Sequence, residues 1–169
     1  MKRSLIITLL IAACMPLAAQ EVTNGLKVLV ENNRVSFNYT VSSRGQASLR
    51  MDGKAVVDGA CYSLSGNGLE IYCDGTTKWT VDNEAKEVYI ESSEGTRDFL
   101  MNPAAWMDKV TGLKSSGTTV SGTFEDKQAG QAFDFKFTSL ASAPLSGSTE
   151  GFVFDASSLG SDWVVTDLR

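Results

Sequence analysis

The sequence predicts a mainly β domain, built as a single curved antiparallel sheet of about ten strands with one short helix on its concave face. Three observations predict it. From Leu26 onward apolar residues recur with period two. Gly, Asn and Asp break that alternation roughly every ten residues. A single segment opening at Asn102-Pro103 has helix chemistry instead.

Ahead of the alternation, Lys2 and Arg3 precede an apolar run from Leu5 to Ala13 that closes on small residues at Ala18 and Ala19, the order of a secretory signal peptide over residues 1–20. The run falls short of the ~20 apolar residues of a spanning helix, and no later stretch approaches that length. Ile11-Ala12-Ala13-Cys14 also fits a lipobox, whose cysteine would carry the anchor. The expectation is therefore an exported, periplasmic domain over residues 21–169, with lipid anchoring through Cys14 as the alternative.

Without the leader, thirteen basic residues face twenty acidic ones, a net charge of −7, which argues against nucleic acid or an anionic membrane as the main partner. One compact, monomeric domain suits the length. The chain has no histidine, which removes histidine triads, histidine-ligated zinc and the usual near-neutral proton shuttle.

Leu26 to Glu31 and Val35 to Val41 flank Asn32-Asn33 and read as a first hairpin, with Val35, Phe37, Tyr39 and Val41 on one face. Ala47, Leu49 and Met51 continue to a turn at Asp52-Gly53. Ala55 to Leu64 then leads into the loop Ser65 to Gly68, and Leu69 to Cys73 returns from it. Asp74-Gly75 turns into Thr77 to Val81, and Asp82-Asn83 separates that strand from Val88 to Glu91. Asn102 caps a helix through Ala104 to Val110 that stops at Gly112. Strands resume at Thr119 to Glu125 and Ala132 to Thr138. Residues 139–150 read as a Ser/Ala/Gly loop, and Phe152 to Phe154 and Trp163 to Thr166 complete the sheet.

No GxSxG elbow, phosphate loop, CxxC pair or HExxH occurs, and Asp52, Asp74 and Asp82 sit beside Gly or Asn, where turn hydrogen bonding accounts for them. The expectation is a protein without enzyme activity, cofactor or metal. A three-residue loop centred on Asn67 would set Cys61 opposite Cys73, as a disulfide or as two buried thiols.

Large apolar side chains are expected to face one way: Phe37 and Tyr39, then Leu49 and Met51, Tyr62 and Leu64, Ile71, Trp79 and Ile90, and finally Phe133, Phe135 and Phe137. Most suit a core. One short helix is a small cover for ten strands, so part of this surface is a candidate pocket. Phe99, Leu100, Trp106 and Met107, in and before the helix, are the candidate plug or lid.

The order of elements resembles the LolA family of outer-membrane lipoprotein carriers, in its divergent Bacteroidetes-type form, from about Arg34 to Arg169. The resemblance is carried by Val35-Ser36-Phe37-Asn38-Tyr39, by Tyr72-Cys73-Asp74-Gly75-Thr76-Thr77-Lys78-Trp79, by the Asn102-Pro103 helix, and by the close from Phe152-Val153-Phe154-Asp155 to Thr166-Asp167-Leu168-Arg169. Two departures stand out. Only a short segment around Val22 to Gly25 precedes the first strand, and Arg50-Met51-Asp52-Gly53 stands where the family has the Arg-Pro pair tied to opening its lid.

The resemblance implies an incomplete, half-open β-barrel whose hydrophobic cavity takes the acyl chains of lipoproteins and carries them from inner to outer membrane. Its implied partners are an inner-membrane lipoprotein-releasing transporter and an outer-membrane acceptor. A lipobox-anchored adhesion or structural module, and an acceptor or glycolipid-binding relative on the same fold, are the competing readings.

Overall fold

The computed structural model describes residues 29, 31–44, 50–93, 109–126 and 130–169. Residues 1–28, Leu49 and the segment 94–108, with Phe99, Leu100, Asn102, Pro103, Trp106 and Met107, lie outside the described residues.

Among the described residues ten strands form one open sheet: β1 (Asn33–Arg44), β2 (Arg50–Asp58), β3 (Cys61–Gly66), β4 (Leu69–Cys73), β5 (Thr77–Asp82), β6 (Glu87–Ser92), β7 (Val110–Ser116), β8 (Thr119–Asp126), β9 (Gln131–Pro144) and β10 (Val164–Asp167). Their spatial order is β10-β6-β5-β4-β3-β2-β1-β9-β8-β7. Every pairing is antiparallel except β10 on β6. The sheet is mainly a meander, broken where β9 returns to lie beside β1.

Local chemistry sets the hairpins. Asn67 (φ 52°) and Gly68 (φ 80°) are both left-handed, as a two-residue hairpin turn requires, and they close β3 on β4 with Gly66 opposite Leu69. Asp74 accepts hydrogen bonds from the amides of Thr76 (2.8 Å) and Thr77 (2.7 Å), and Asp82 from those of Glu84 (2.9 Å) and Ala85 (2.8 Å). Both aspartates thereby build the turns they precede.

Several expected boundaries fall elsewhere. Leu29, Glu31 and Asn32 are helical and the Asn33 side chain donates to the Leu29 carbonyl at 3.1 Å, so no hairpin forms at Asn32-Asn33. Asp52-Gly53 lies inside β2, and the turn comes six residues later, at Gly59 (φ 62°). The stretch read as one strand from Ala55 to Leu64 is thus two. Val110 and Gly112 belong to β7 rather than to a helix end; Gly112 (φ 61°) sits where the β7–β8 register shifts. β9 runs on to Pro144 through a bulge at Ser139 (φ 54°), absorbing much of the expected loop. Phe152 to Phe154 is not a strand.

The sheet buries both faces, by different means. Its inner face carries Val35, Phe37 and Tyr39 of β1, Ala55 and Val57 of β2, Tyr62 of β3, Cys73 of β4, Val120 of β8, and Phe135 and Phe137 of β9. The outer face of β5 and β6 carries a second cluster, Trp79, Val81, Val88 and Ile90, against which Tyr72, Phe154, Leu159 and Trp163 pack. That second cluster exists because the chain after β9 crosses the outer face as a strap.

Buried Asp58 accepts from the Ser146 amide (3.2 Å) and from the Ser146 hydroxyl, and pairs with Arg34 at 3.3 Å. The Arg34 guanidinium stands 5.3 Å from the ring centre of Phe152, a fully buried side chain. Beyond it the Phe154 ring meets Tyr72 at 5.6 Å, and Asp155 caps a 3-10 turn over Ala156–Ser158. The Val164 amide then donates to the Lys86 carbonyl at 2.9 Å, which starts β10 alongside β6.

Candidate functional site: an apolar hollow on the inner face

The inner face is filled at one end of the strands and hollow at the other. Register aligns Val35 with Val57, Val57 with Tyr62 and Tyr62 with Cys73, a row of side chains 1–3% exposed. Two rows along, a hollow of about 390 Å³ opens. Tyr39 and Val41 of β1 and Met51 of β2 form part of its wall. Leu64 and Gly66 of β3 and Leu69 and Ile71 of β4 continue it, and Phe124 of β8 with Phe133 and Phe137 of β9 complete it. Six neighbouring strands therefore contribute to one space lined almost wholly by carbon. Its volume lies within the roughly 300–1,000 Å³ of small-ligand sites.

Period-two alternation places the lining. Tyr39 pairs with Phe137 across β1 and β9, Phe124 with Phe133 across β8 and β9, and Leu64 with Ile71 across β3 and β4. The Phe37 and Phe137 rings lie 4.7 Å apart and those of Phe135 and Phe137 5.0 Å apart, so one aromatic stack separates core from hollow. Past β4 the inner face turns polar. Lys78 stands opposite Cys73 and pairs with Glu91 at 2.9 Å, and Thr80 stands opposite Ile71.

The rim is tied by polar contacts. Asn67, at the β3–β4 tip, accepts from the Asp52 amide (3.0 Å) and donates to the Arg50 carbonyl (3.1 Å), fastening that hairpin to β2. The Asp52 carboxylate takes hydrogen bonds from Arg50 (2.7 Å) and Thr40 (2.6 Å), which hold its pKa below the ordinary value. Burial, then the nearby Asp52 charge, raises the pKa of the Tyr39 phenol, which stays neutral in the wall.

Of the residues expected in the cavity, Tyr39, Met51, Leu64, Ile71, Phe133 and Phe137 line the hollow. Phe37, Tyr62 and Phe135 belong to the filled core beside it. Trp79 and Ile90 stand on the opposite face, since Trp79 pairs with Tyr72 and Ile90 with Trp79, and all three belong to the outer cluster. Val41, Gly66, Leu69 and Phe124 were not among the expected lining residues. Val41, Leu69 and Phe124 are reachable by carrying the alternation two residues on from Tyr39, back from Ile71, or on from Val120 through Gly122. Gly66 has no such signal, because it contributes by having no side chain.

Cys61 and Cys73 are not bridged. The two-residue turn sets Tyr62 opposite Cys73, so the cysteines fall on opposite faces of the sheet; the three-residue loop that would have aligned them does not form. Burial, followed by the neighbouring Cys73, Asp74 and Asp58, raises the pKa of the Cys61 thiol. Among the described residues no group of His, Cys, Asp and Glu is arranged to hold a metal ion. What this site offers chemically is apolar surface withdrawn from water.

In comparisons with known proteins, no protein-family model matches the chain and no curated protein matches it.

Proposed function

We propose that the protein is a carrier of acylated lipoproteins, holding their hydrocarbon in the inner-face hollow while they cross the periplasm from inner to outer membrane. The observation that carries this reading is the hollow itself: some 390 Å³ of apolar space beside the packed core of β1 to β4, β8 and β9. Six neighbouring strands wall one continuous space, which supports reading the sheet as bent around it into a half-open barrel.

The energetics suit a carrier. Burying acyl chain is worth ~0.8 kcal/mol per methylene, so a chain of roughly sixteen carbons resists leaving a membrane by ~12 kcal/mol. A carrier must offer apolar surface good enough to compete with that and poor enough to give the chain up again. Met51, whose unbranched side chain repacks at little cost, suits such a site. An inner-membrane transporter that loads the hollow and an outer-membrane acceptor that empties it complete the scheme.

The test has two arms. Native mass spectrometry of protein purified from its own cell envelope is expected to find lipopeptide or lipoprotein bound. In vitro, a synthetic triacylated lipopeptide is expected to displace N-phenyl-1-naphthylamine from the wild type, while Leu64→Trp, which fills the hollow, weakens binding roughly tenfold or more with melting unchanged. A Leu64→Trp protein that binds as tightly as wild type would remove the hollow from the function.

A further inference from the structure

On the reading that the hollow takes hydrocarbon, we propose that Tyr39 is its specificity-determining residue, fixing the longest acyl chain accepted by lying over side-chain-free Gly53 and leaving its neighbour Gly66 open. Gly53 is the register partner of Tyr39, and Gly66 is the next position across, since Lys54 pairs with Ser65. One row of the inner face therefore reads, from β9 to β4, Phe137, Tyr39, Gly53, Gly66, Leu69. Two adjacent strands in that row contribute no side chain.

Both omissions are steric. Neither glycine has a positive φ, so backbone conformation does not call for them. A Cβ on Gly53 would lie 2.0 Å from the Ser65 carbonyl oxygen, 2.6 Å from the Tyr39 hydroxyl oxygen and 2.7 Å from its Cζ. One on Gly66 would lie 2.2 Å from the Asp52 carbonyl oxygen and 2.9 Å from the Gly53 Cα. β2 and β3 thus meet more closely than side-chained residues allow, and the phenol occupies the place a side chain at position 53 would take.

Gly66 lines the hollow; Gly53 is covered by the Tyr39 ring. The room left in this row is what lies between the phenol and Leu69, so the length of residue 39 sets it. Tyr39 is 8% exposed, held between Phe137 on one side and Gly53 on the other, which makes its tip a fixed stop rather than a swinging one.

The experiment is a chain-length series. Lysophosphatidylcholines of about ten to about eighteen carbons, kept below their critical micelle concentrations, compete with N-phenyl-1-naphthylamine for wild type, Tyr39→Phe, Tyr39→Leu and Tyr39→Ala. Each added methylene that is buried strengthens binding about fourfold, until the stop is reached and affinity levels off. Tyr39→Phe, which removes the hydroxyl at the tip, is expected to extend the rise by about one methylene. Tyr39→Leu is expected to extend the rise by about two methylenes and Tyr39→Ala by more.

Tyr39→Leu keeps an apolar side chain in the core, so it carries the test if Tyr39→Ala does not fold. A break at the same length in every folded variant would overturn the assignment of Tyr39 while leaving the carrier reading intact. A wild type from which no lysolipid displaces the probe would overturn the carrier reading, and this inference with it.

Discussion

Asp58 and Ser146 are 88 residues apart in sequence and joined through both the amide and the hydroxyl of the serine. The carboxylate is 3% exposed, and its other partner is Arg34, whose guanidinium in turn covers Phe152. One acid at the end of β2 therefore fixes where the strap begins and which ring it lays down first.

Asp58→Ala is expected to destabilise the protein by about 1–3 kcal/mol, the cost of losing the hydrogen bonds that the buried carboxylate accepts from Ser146. Arg34 is 39% exposed and regains water, so it adds little. Urea titration gives the value, and a loss below about 0.5 kcal/mol would mean the strap is held by its aromatic contacts alone.

Trp79 and Trp163 pack in the outer cluster, away from the hollow. In a Trp106→Phe protein, which retains only these two tryptophans, emission is expected to stay unchanged as the lipopeptide saturates the site. A clear blue shift would mean that ligand reaches the outer face.

Tyr72 lies under Phe154 and its hydroxyl donates to Glu70 at 2.5 Å. Burial, then that hydrogen bond, pushes its pKa up to about 12. The folded value lies above the ordinary one of about 10, so the stability it brings is whole below pH ~10 and is lost as pH rises through ~12. Alkaline unfolding followed by circular dichroism should show a step in that window that Tyr72→Phe removes. An identical alkaline profile in the variant would assign the step to other groups.

Hairpins whose turns are built from their own residues were legible in the sequence: Asp74-Gly75 and Asp82-Asn83 close strands as expected, and the expected loop Ser65 to Gly68 holds a turn that tightens to Asn67-Gly68. Two Asp-Gly pairs stand six residues apart, however, and only the second turns the chain. What holds Asp52-Gly53 in a strand is its pairing with Tyr39 and Thr40 of β1 and the Asn67 side chain that accepts from the Asp52 amide, none of them local.

The faces of Trp79 and Ile90 were misread for a related reason. Cys73 pairs with Lys78 across the β4–β5 turn, so odd positions on β4 share a face with even positions on β5. The outer cluster had no signature either, because Phe152 and Phe154 look like a strand until the Asp58, Arg34 and Tyr72 contacts draw that segment across the sheet.

The route of the strap also orders events during synthesis. Trp79, Val81, Val88 and Ile90 are made long before Phe154, Leu159 and Trp163, so the nascent meander presents a bare aromatic and aliphatic patch until those residues emerge. A chain of which only the part up to β9 has emerged where it folds can pair its inner strands while this patch stays sticky, and a holding chaperone that binds such patches would be most needed in that interval.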